Sequence, residues 1–511
     1  MKRVTDMAAK RAELTPERIA FRDHESGAQL TFRTINERAD ALAWALDSAG
    51  LSRGDRVAIL CQNRPEFFLL LFAAQKAGLV VVPLNWRQPP AELAPVIRRS
   101  GARLLFFDRQ NVGTARELAE ECGTVLAGIE AGGDAAGTMH AMIETAPPGP
   151  FGTGQADAEA PWYLLYTSGT TGVPKAVIQT ASMAWANAIN YSQAVDLVST
   201  DKALNFLPLF HSAGINLFTL PLFLAGGTST ILRKFDEETV LDLIDAKQVT
   251  AFFGVPAIYQ ALALNSRFPS IDFSAVRSLG CGGAPISAAL LKTYQKHGLT
   301  ICNGMGMTET GPTVFLMDKE NAAAKIGSVG KAQILAEVRL VSPDGATIGH
   351  EGEGELQIRG PGITPGYFED PKATGDCFAE DGWLRTGDVA RRDADGYFYI
   401  VDRIKDMYIS GGENVYPAEV ERVLTAHEAI IEAVVIGVPD QKWGEVGVAY
   451  LIVAPDRKVD AGELTLWCRE RLATYKVPKG FQVATELPRT AAGKVQKHIL
   501  KQTYLRTVGE T

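Results

Sequence analysis

One short loop, residues 166–175 (YTSGTTGVPK), has the clearest chemical potential in this sequence. It follows an expected strand at 163–166 and combines two glycines, four small hydroxyl side chains and a terminal lysine. Backbone N–H groups, hydroxyl donors and a cation in one loop are what a polyphosphate requires. The spacing of Gly169, Gly172 and Lys175 does not fit GxxxxGK[ST], so the loop is not a Walker A motif. Taken alone, a Ser/Thr/Gly surface turn remains the alternative.

Four charged side chains elsewhere have the chemistry to complete a nucleotide site. A carboxylate such as Glu309 beside a polyphosphate can hold Mg²⁺, and Asp388 can accept both hydroxyls of a ribose. Arg403 is a fork-shaped donor for ribose or phosphate, and Lys494 is a cation in a Gly-containing C-terminal loop. The alternatives are a helix-terminal Glu, a Gly-Asp turn, an Asp-Arg surface pair and a solvated lysine.

At the 166–175 loop the sequence resembles the adenylate-forming superfamily, which includes acyl-CoA synthetases, firefly-type luciferases and peptide-synthetase adenylation domains. Five further segments resemble the other signatures of that superfamily and follow in its order: 304–310 (GMGMTET), 386–388 (TGD), 402–406 (DRIKD), 411–417 (GGENVYP) and 488–494 (PRTAAGK). The resemblance covers nearly the whole chain. It implies ATP, Mg²⁺ and coenzyme A as cofactors.

The resemblance also implies a role for each matching position. Lys494, Thr308 and Glu309 would be catalytic, with Glu309 and Thr171 on the metal and Lys405 as the hinge. Coenzyme A would contact Arg87, Ser410, Gly411, Gly412 and Trp443. The nucleotide would contact Thr167, Ser168, Gly169, Thr170, Thr171, Gly172, Lys175, Gly283, Ala284, Pro285, Asn303, Gly304, Met305, Gly306, Asp388 and Arg403. Met305 stands where the family usually has an aromatic residue against adenine, and Asn303 would bond the adenine amino edge.

The acyl group is expected against His211, Gly214, Val255 and Gly282, which lie in segments resembling the family's acyl pocket. A lone His after an apolar run is equally typical of a satisfied core residue. Residues 255–266 contain no Lys or Arg, so a second carboxylate would lack a counter-charge. An apolar monocarboxylate is favoured, with medium-chain fatty, aromatic and arylpropenoic acids all open.

The elements that must position these residues alternate in type. Residues 30–108 show strand and helix periods in turn, which predicts βαβ units and a largely parallel sheet. After residue 330, short strands with Asp-Gly turns indicate a small antiparallel β subdomain. We therefore predict an α/β fold with a large N-terminal domain, 1–402, and a small mobile α+β domain, 403–511. Residues 131–159 are expected to form an irregular connection.

The composition of the chain restricts the class of protein, its partners and its location. The 511 residues are 46% hydrophobic and 22% charged, as in globular enzymes. A net charge of −8 without a run of five Lys or Arg argues against nucleic acid as a partner. The six cysteines show no metal-ligand spacing and are expected to be reduced. The longest apolar stretch, 67–74, is too short to span a bilayer, and no signal peptide is evident, so a cytoplasmic location is expected.

Together these features predict an ATP-dependent ligase that joins a small-molecule carboxylic acid to coenzyme A through an acyl-AMP. Three alternatives stay open: an acyl-AMP ligase that loads a carrier protein, a luciferase-like oxygenase, and a nucleotide-binding regulator without turnover. A homodimer is one expectation for the assembly.

Overall fold

A computed structural model describes residues 3–130, 137–152, 154–167, 174–490 and 494–509. The strands of the described residues, in chain order, are β1 (Arg3–Thr5), β2 (Ile19–Asp23), β3 (Gln29–Thr31), β4 (Arg56–Leu60), β5 (Val80–Pro83), β6 (Leu104–Phe107), β7 (Val125–Gly128), β8 (Gln155–Asp157), β9 (Pro161–Thr167), β10 (Lys175–Thr180), β11 (Lys202–Asn205), β12 (Thr228–Ile231), β13 (Ala251–Gly254), β14 (Ser278–Cys281), β15 (Ile301–Met305), β16 (Phe315–Leu316), β17 (Lys331–Ala332), β18 (Glu337–Val341), β19 (Thr347–Ile348), β20 (Gly352–Arg359), β21 (Leu384–Arg392), β22 (Phe398–Arg403), β23 (Tyr408–Ser410), β24 (Glu413–Val415), β25 (Ile430–Asp440), β26 (Gly444–Val453) and β27 (Gly480–Val483).

The α-helices of the same residues connect or cover these strands. They are α1 (Met7–Leu14), α2 (Phe32–Ser48), α3 (Pro65–Ala77), α4 (Pro90–Ser100), α5 (Val112–Cys122), α6 (Met139–Thr145), α7 (Ala181–Val195), α8 (Thr219–Ala225), α9 (Glu237–Asp245), α10 (Pro256–Leu264), α11 (Ala288–Lys296), α12 (Pro371–Cys377), α13 (Pro417–Thr425), α14 (Ala461–Arg469) and α15 (Lys497–Gly509). None of these helices is both long and apolar enough to cross a membrane.

The first large sheet has the strand order β10-β9-β5-β4-β6-β7. Its strands are parallel except for the β9–β10 hairpin, as βαβ units require. The two ends of helix α3 lie where the sequence predicted them. Pro65 occupies the first turn, and Gly78 ends the helix with φ of +70°. Ten of its residues are buried, so α3 lies in the interior of the N-terminal domain.

A second sheet, β11-β12-β2-β3, and a third, β13-β14-β15-β16-β17, complete the N-terminal α/β body. Strands β13, β14 and β15 are parallel, and they end at the segments that the sequence assigned to nucleotide and acyl group. Side chains from Phe252, Tyr259, Leu279 and Tyr294 fill the core beside this sheet. The carboxyl ends of these strands are the usual place for a ligand in such a sheet.

The antiparallel subdomain is confirmed as the sheet β19-β18-β20-β21-β22. The last part of the chain forms a smaller sheet, β24-β23-β26-β25 with β27 on β26, packed on α13 and α14. The predicted fold class, a large α/β domain followed by a small α+β domain, is therefore confirmed.

The expectation of an irregular connection over 131–159 is wrong in part. Helix α6 begins where the Thr138 hydroxyl accepts a hydrogen bond from the Ala141 amide, at 3.1 Å, and Met139 is fully buried. Strand β8 pairs with β1 from the start of the chain. Both elements are short and held by distant partners, so local periodicity did not show them.

Candidate active site

The ends of the candidate phosphate loop form a β-hairpin. Thr167 ends β9 and pairs with Lys175, which begins β10, and the Thr167 hydroxyl donates to the Lys175 carbonyl at 3.4 Å. The hairpin fixes both ends of the loop against the first sheet. Five predicted phosphate contacts lie outside the described residues: Ser168, Gly169, Thr170, Thr171 and Gly172.

Glu309 lies in a single 3₁₀ turn, Thr308–Thr310, just after β15. Its carboxylate accepts a hydrogen bond from the Tyr367 hydroxyl at 2.9 Å, and its backbone carbonyl accepts from the Thr364 amide at 2.8 Å. The Gln179 side chain donates to the Thr308 carbonyl at 2.9 Å. The candidate metal ligand is thus held by groups from both β10 and the 364–367 segment.

Tyr367 is the functional-site residue that the sequence did not reveal. Its ring lies 5.1 Å from the Lys175 ammonium, so one tyrosine links the end of the phosphate loop to Glu309. Burial raises the pKa of Tyr367, and the neighbouring Glu309 carboxylate raises it further. Tyr367 therefore remains a protonated donor. The surrounding sequence, GITPGYF, contains no charge or spacing that would indicate this contact.

Asp388 and Arg403 face each other on neighbouring strands β21 and β22. The Arg403 Nε atom lies 3.0 Å from the Asp388 carboxylate, although its N–H direction does not give a hydrogen bond. Asp388 is 4% exposed, and burial raises its pKa while Arg403 and Lys494 oppose the rise. A carboxylate held beside a guanidinium in this way can accept ribose hydroxyls.

Lys494 reaches this pair from the other end of the chain. Its backbone forms a tight loop with Thr490, whose amide donates to the Lys494 carbonyl at 2.7 Å. The residue as a whole is exposed, but its ammonium group lies among protein charges. Burial of that group lowers the pKa of Lys494, the Arg403 guanidinium lowers it further, and Asp388 acts in the opposite direction. The structure thus brings the predicted catalytic lysine within electrostatic range of the predicted ribose carboxylate.

The predicted hinge directly follows β22. The Asp402 carboxylate accepts hydrogen bonds from the amides of Arg403 and of Ala418, the latter in the first turn of α13 and both at 2.7 Å. The Ile404 amide donates to the Gly387 carbonyl at 2.9 Å. Burial lowers the pKa of Lys405. The hinge segment therefore connects the Asp388 strand to the C-terminal domain within a few residues.

The candidate adenine contacts lie on β15. Asn303 is 7% exposed, and its amide nitrogen donates to the Ser328 carbonyl at 3.3 Å. Its amide oxygen has no partner in the part of the chain that the structure describes. An acceptor of this kind suits the amino group of adenine. A Cβ on Gly306 would lie 1.3 Å from the Pro312 carbonyl oxygen, so this position must be glycine. Met305 packs partly against the antiparallel subdomain.

Glycines at the end of the neighbouring strand β14 and in the turn after it allow other groups to approach the backbone closely. A Cβ on Gly282 would approach the Gly304 carbonyl oxygen at 3.2 Å and the Phe253 ring at 3.3 Å. Gly283 has φ of +81°, and a Cβ there would touch Val255 at 3.5 Å. The predicted acyl residues Val255 and Gly282 are therefore near one another, with Ala284 and Pro285 directly after them in the turn.

His211 lies in a separate segment that was also predicted to contact the acyl group. Its Nε2 atom is buried without a partner among the described residues, and its ring stands 4.8 Å from that of Phe210. Burial lowers the pKa of His211 to about 4, and Arg87 adds to the effect, so the imidazole is neutral at neutral pH. Gly214 lies in the π-helical turn Ala213–Leu217, where a Cβ would lie 2.4 Å from the Pro208 carbonyl oxygen. The imidazole is neutral, and Arg87 is a charged group close to it.

The candidate coenzyme A residues fall in two places. The Gly411 amide donates to the Trp443 carbonyl at 2.8 Å, which brings together Ser410, Gly411, Gly412 and the 40%-exposed Trp443. Arg87 instead stacks on Trp86 at 4.9 Å and lies 5.7 Å from the Phe210 ring, beside His211. The structure places Arg87 beside Phe210 and His211.

This site and this fold match known proteins over almost the whole chain. Residues 8–368 match the AMP-binding enzyme family, and residues 419–494 match the AMP-binding enzyme C-terminal domain. The chain therefore belongs to the AMP-binding enzyme family.

The curated relatives show which type of enzyme within that family this chain is similar to. A feruloyl-CoA synthase of Amycolatopsis sp. is 41% identical over 96% of each chain. The long-chain-fatty-acid–CoA ligase FadD13 of Mycobacterium tuberculosis is 34% identical over 99% of this chain and 100% of its own. The chain is an AMP-forming acyl-CoA synthetase, which uses ATP and coenzyme A.

The solved structures add information on conformation. ATP-bound MatB of Rhodopseudomonas palustris is 27% identical, with a TM-score of 0.90 over 98% of this chain and 99% of its own. The apo form of MatB gives a TM-score of 0.80 over the same shares. By this measure the chain as a whole is more similar to the ATP-bound structure than to the apo structure.

Proposed function

We propose that this enzyme converts an apolar monocarboxylic acid, medium-chain fatty or aromatic, to its acyl-AMP and then to its acyl-CoA thioester. The observation that supports this most directly is the convergence of Lys494, Asp388 and Arg403 from three separate segments of the chain. A cation at that point can neutralise charge where the acid oxygen attacks the α-phosphate of ATP. A ribose bound by Asp388 would fix that phosphate in place.

The chemistry requires no nucleophilic side chain. The protein positions two substrates and stabilises the negative charge of the transition state, with Lys494 donating to the oxygens of the carboxylate and the α-phosphate. Thr308 and Glu309 border the same space, with Glu309 oriented by Tyr367. Asn303 supplies the acceptor for the adenine amino group.

A magnesium ion fits the residues present. Mg²⁺ typically binds one or two carboxylates together with substrate phosphates and water, so Glu309 with the hydroxyl of Thr171 is a sufficient protein contribution. Among the described residues no cluster of three or more His, Cys, Asp or Glu could hold a metal. When bound, the ion would neutralise phosphate charge as a Lewis acid.

The second half-reaction is proposed to follow rotation of the C-terminal domain, 403–511, against 1–402 about Lys405. Ser410, Gly411, Gly412 and Trp443 would then form the path for the pantetheine arm. The glycines suit this role, because the backbone at Gly411 approaches Trp443 so closely that a Cβ would lie 2.9 Å from its ring. Arg87 would meet the nucleotide phosphate of coenzyme A from the N-terminal domain.

Within the proposed substrate class, aromatic acids are favoured. The relative of 41% identity is a feruloyl-CoA synthase, and the groups near Gly282 and Val255 are neutral. The test is pyrophosphate release over fatty, aromatic and dicarboxylic acids, with and without coenzyme A. An apolar or aromatic monocarboxylate that gives both pyrophosphate and a CoA thioester supports the proposal. Absence of turnover with every acid would overturn it.

We further infer a cytoplasmic location, because all six cysteines are free thiols, as is typical of a reducing compartment. A homodimer remains a prediction, which light scattering on the purified chain would test.

A further inference from the structure

Tyr191 on α7 has a hydroxyl group with no hydrogen-bond partner in the part of the chain that the structure describes. The side chain is fully buried, so bulk water does not reach the hydroxyl. Other buried tyrosines of the N-terminal domain do have partners. Tyr163 donates to Asn216, Tyr259 to the Gly280 carbonyl at 2.7 Å, and Tyr294 to the Tyr259 carbonyl at 2.8 Å.

An unpaired buried hydroxyl costs free energy, and native cores keep few of them. Those that persist are often reserved for a ligand. Burial raises the pKa of Tyr191, so the group is a neutral donor at every physiological pH.

The Tyr191 hydroxyl lies near β14, whose end was predicted to contact the acyl group. A Cβ built on Gly280 would lie 3.5 Å from the Tyr191 hydroxyl and 2.7 Å from the Phe253 ring. A Cβ on Gly282, just after β14, would also approach the Phe253 ring, at 3.3 Å, as expected for alternate residues that share a face. The Tyr191 hydroxyl therefore lies close to Gly280, two residues before Gly282 along the chain.

Helix α7 is held firmly in this place. Asn187 accepts from the Thr313 amide at 2.9 Å, and Asn190 donates to the Thr313 carbonyl at 3.1 Å. The Tyr191 ring packs edge-to-face on Phe218 at 5.5 Å, next to the turn that contains Gly214. The hydroxyl is thus a fixed group and not a mobile one.

We propose that Tyr191 determines specificity in the acyl pocket, by hydrogen bonding to a neutral hydroxyl group at the far end of an aryl acid. This rests on the proposed function and names the part of the substrate that the pocket recognises. The Phe253 ring, which a Cβ on Gly280 would also meet, supplies apolar surface near the hydroxyl. The absence of Lys and Arg from 255–266 favours a neutral substituent over a charged one.

The test compares two acids of nearly equal size, 4-hydroxycinnamate and 4-methylcinnamate, in the pyrophosphate-release assay. The enzyme is expected to prefer the hydroxylated acid. Tyr191→Phe should lower kcat/KM for 4-hydroxycinnamate by about 10-fold, the value of one neutral hydrogen bond, and change that for 4-methylcinnamate by less than about 3-fold. The change in the ratio is the readout, since a purely structural role would affect both acids alike.

Tyr259→Phe is the matched control, because it also removes a fully buried tyrosine hydroxyl close to Gly280, but one that already has a partner in the Gly280 carbonyl. It should lower the Tm and leave the preference between the two acids unchanged. An unchanged ratio in Tyr191→Phe, or an equal fall with both acids, would overturn the role of Tyr191 while leaving the ligase activity established. Loss of activity with every acid in the unmodified enzyme would instead contradict the proposed function.

Discussion

At the scale of single residues, the position of Lys494 gives the sharpest prediction. Its ammonium lies among Asp388, Arg403, Lys405 and Asp406, where it can donate to the carboxylate and phosphate oxygens of the first half-reaction. Lys494→Ala should lower adenylation by about 10² to 10³-fold, the usual effect of losing one donor to the transition state. Thioester formation from preformed acyl-AMP should be retained, and the two half-reactions are measured separately.

Lys501→Ala is the control for this variant. Lys501 lies on the same C-terminal segment but pairs with Glu445 at 3.3 Å. Both half-reactions should remain near normal in this variant. An equal fall of both in Lys494→Ala, with the fold intact, would contradict the assignment of Lys494 to adenylation.

His211 gives a prediction on pH and stability. Its pKa is lowered to about 4, so between pH 6.5 and 4 the unfolded chain takes up a proton that the folded chain refuses. Folding stability must therefore fall as the pH drops through this range, by about 3 kcal/mol from this residue alone. His211→Gln should remove much of that fall, measured as urea midpoints at pH 7 and pH 4.5.

His297→Gln provides the comparison, because His297 is an exposed residue at the end of α11. It should leave the pH dependence of the midpoint unchanged. The same pH dependence in His211→Gln and in the unmodified protein would show that the imidazole is not held neutral.

At the scale of elements, the segment between β22 and β23 is predicted to be the pivot. If Lys405 changes its backbone torsions between two states, proline, which fixes φ near −65° and restricts the preceding residue, would permit only one of them. Lys405→Pro should retain pyrophosphate release and lose most formation of the CoA thioester. Lys405→Ala should change neither by more than a few-fold, because the backbone and not the ammonium group matters.

Circular dichroism on both Lys405 variants would establish that each is folded. Equal loss of both half-reactions in the proline variant, or no loss in either, would place the pivot elsewhere in the chain.

At the scale of the whole molecule, the predicted acyl pocket draws on distant segments, 211–214, 253–255 and 280–283, and its charge is therefore a property of the assembled fold. These segments contain no Lys or Arg, so a second carboxylate beside 253–255 and 280–283 would be buried without a cation from them, whereas Arg87 lies next to His211. Apolar monocarboxylates should exceed malonate and succinate by at least about 10²-fold in kcat/KM. A dicarboxylate as the best substrate would show that a cation reaches the pocket after all; Arg87, beside His211, is the one to substitute in that case.

Local sequence was sufficient for the elements whose signals lie within themselves. The start of α3 at Pro65 and its end at Gly78, and the antiparallel strands after residue 330, follow from backbone preferences and short periods. Helix α6 and strand β8 were missed because their stability comes from partners far away in the chain. Short elements of this kind have no pattern of their own.

The same division holds for the site. The sequence by itself determined which side chains are able to bind a nucleotide, since Asp388, Arg403, Glu309 and Lys494 are chemically suited to it and lie in recognisable segments. Only the tertiary structure decided that Lys494 lies within electrostatic range of Asp388, and that Tyr367 joins Lys175 to Glu309. It also decided that the Tyr191 hydroxyl has no partner among the described residues. The physical reason is that a residue type fixes what a side chain can donate or accept, whereas packing between segments hundreds of residues apart fixes what it meets.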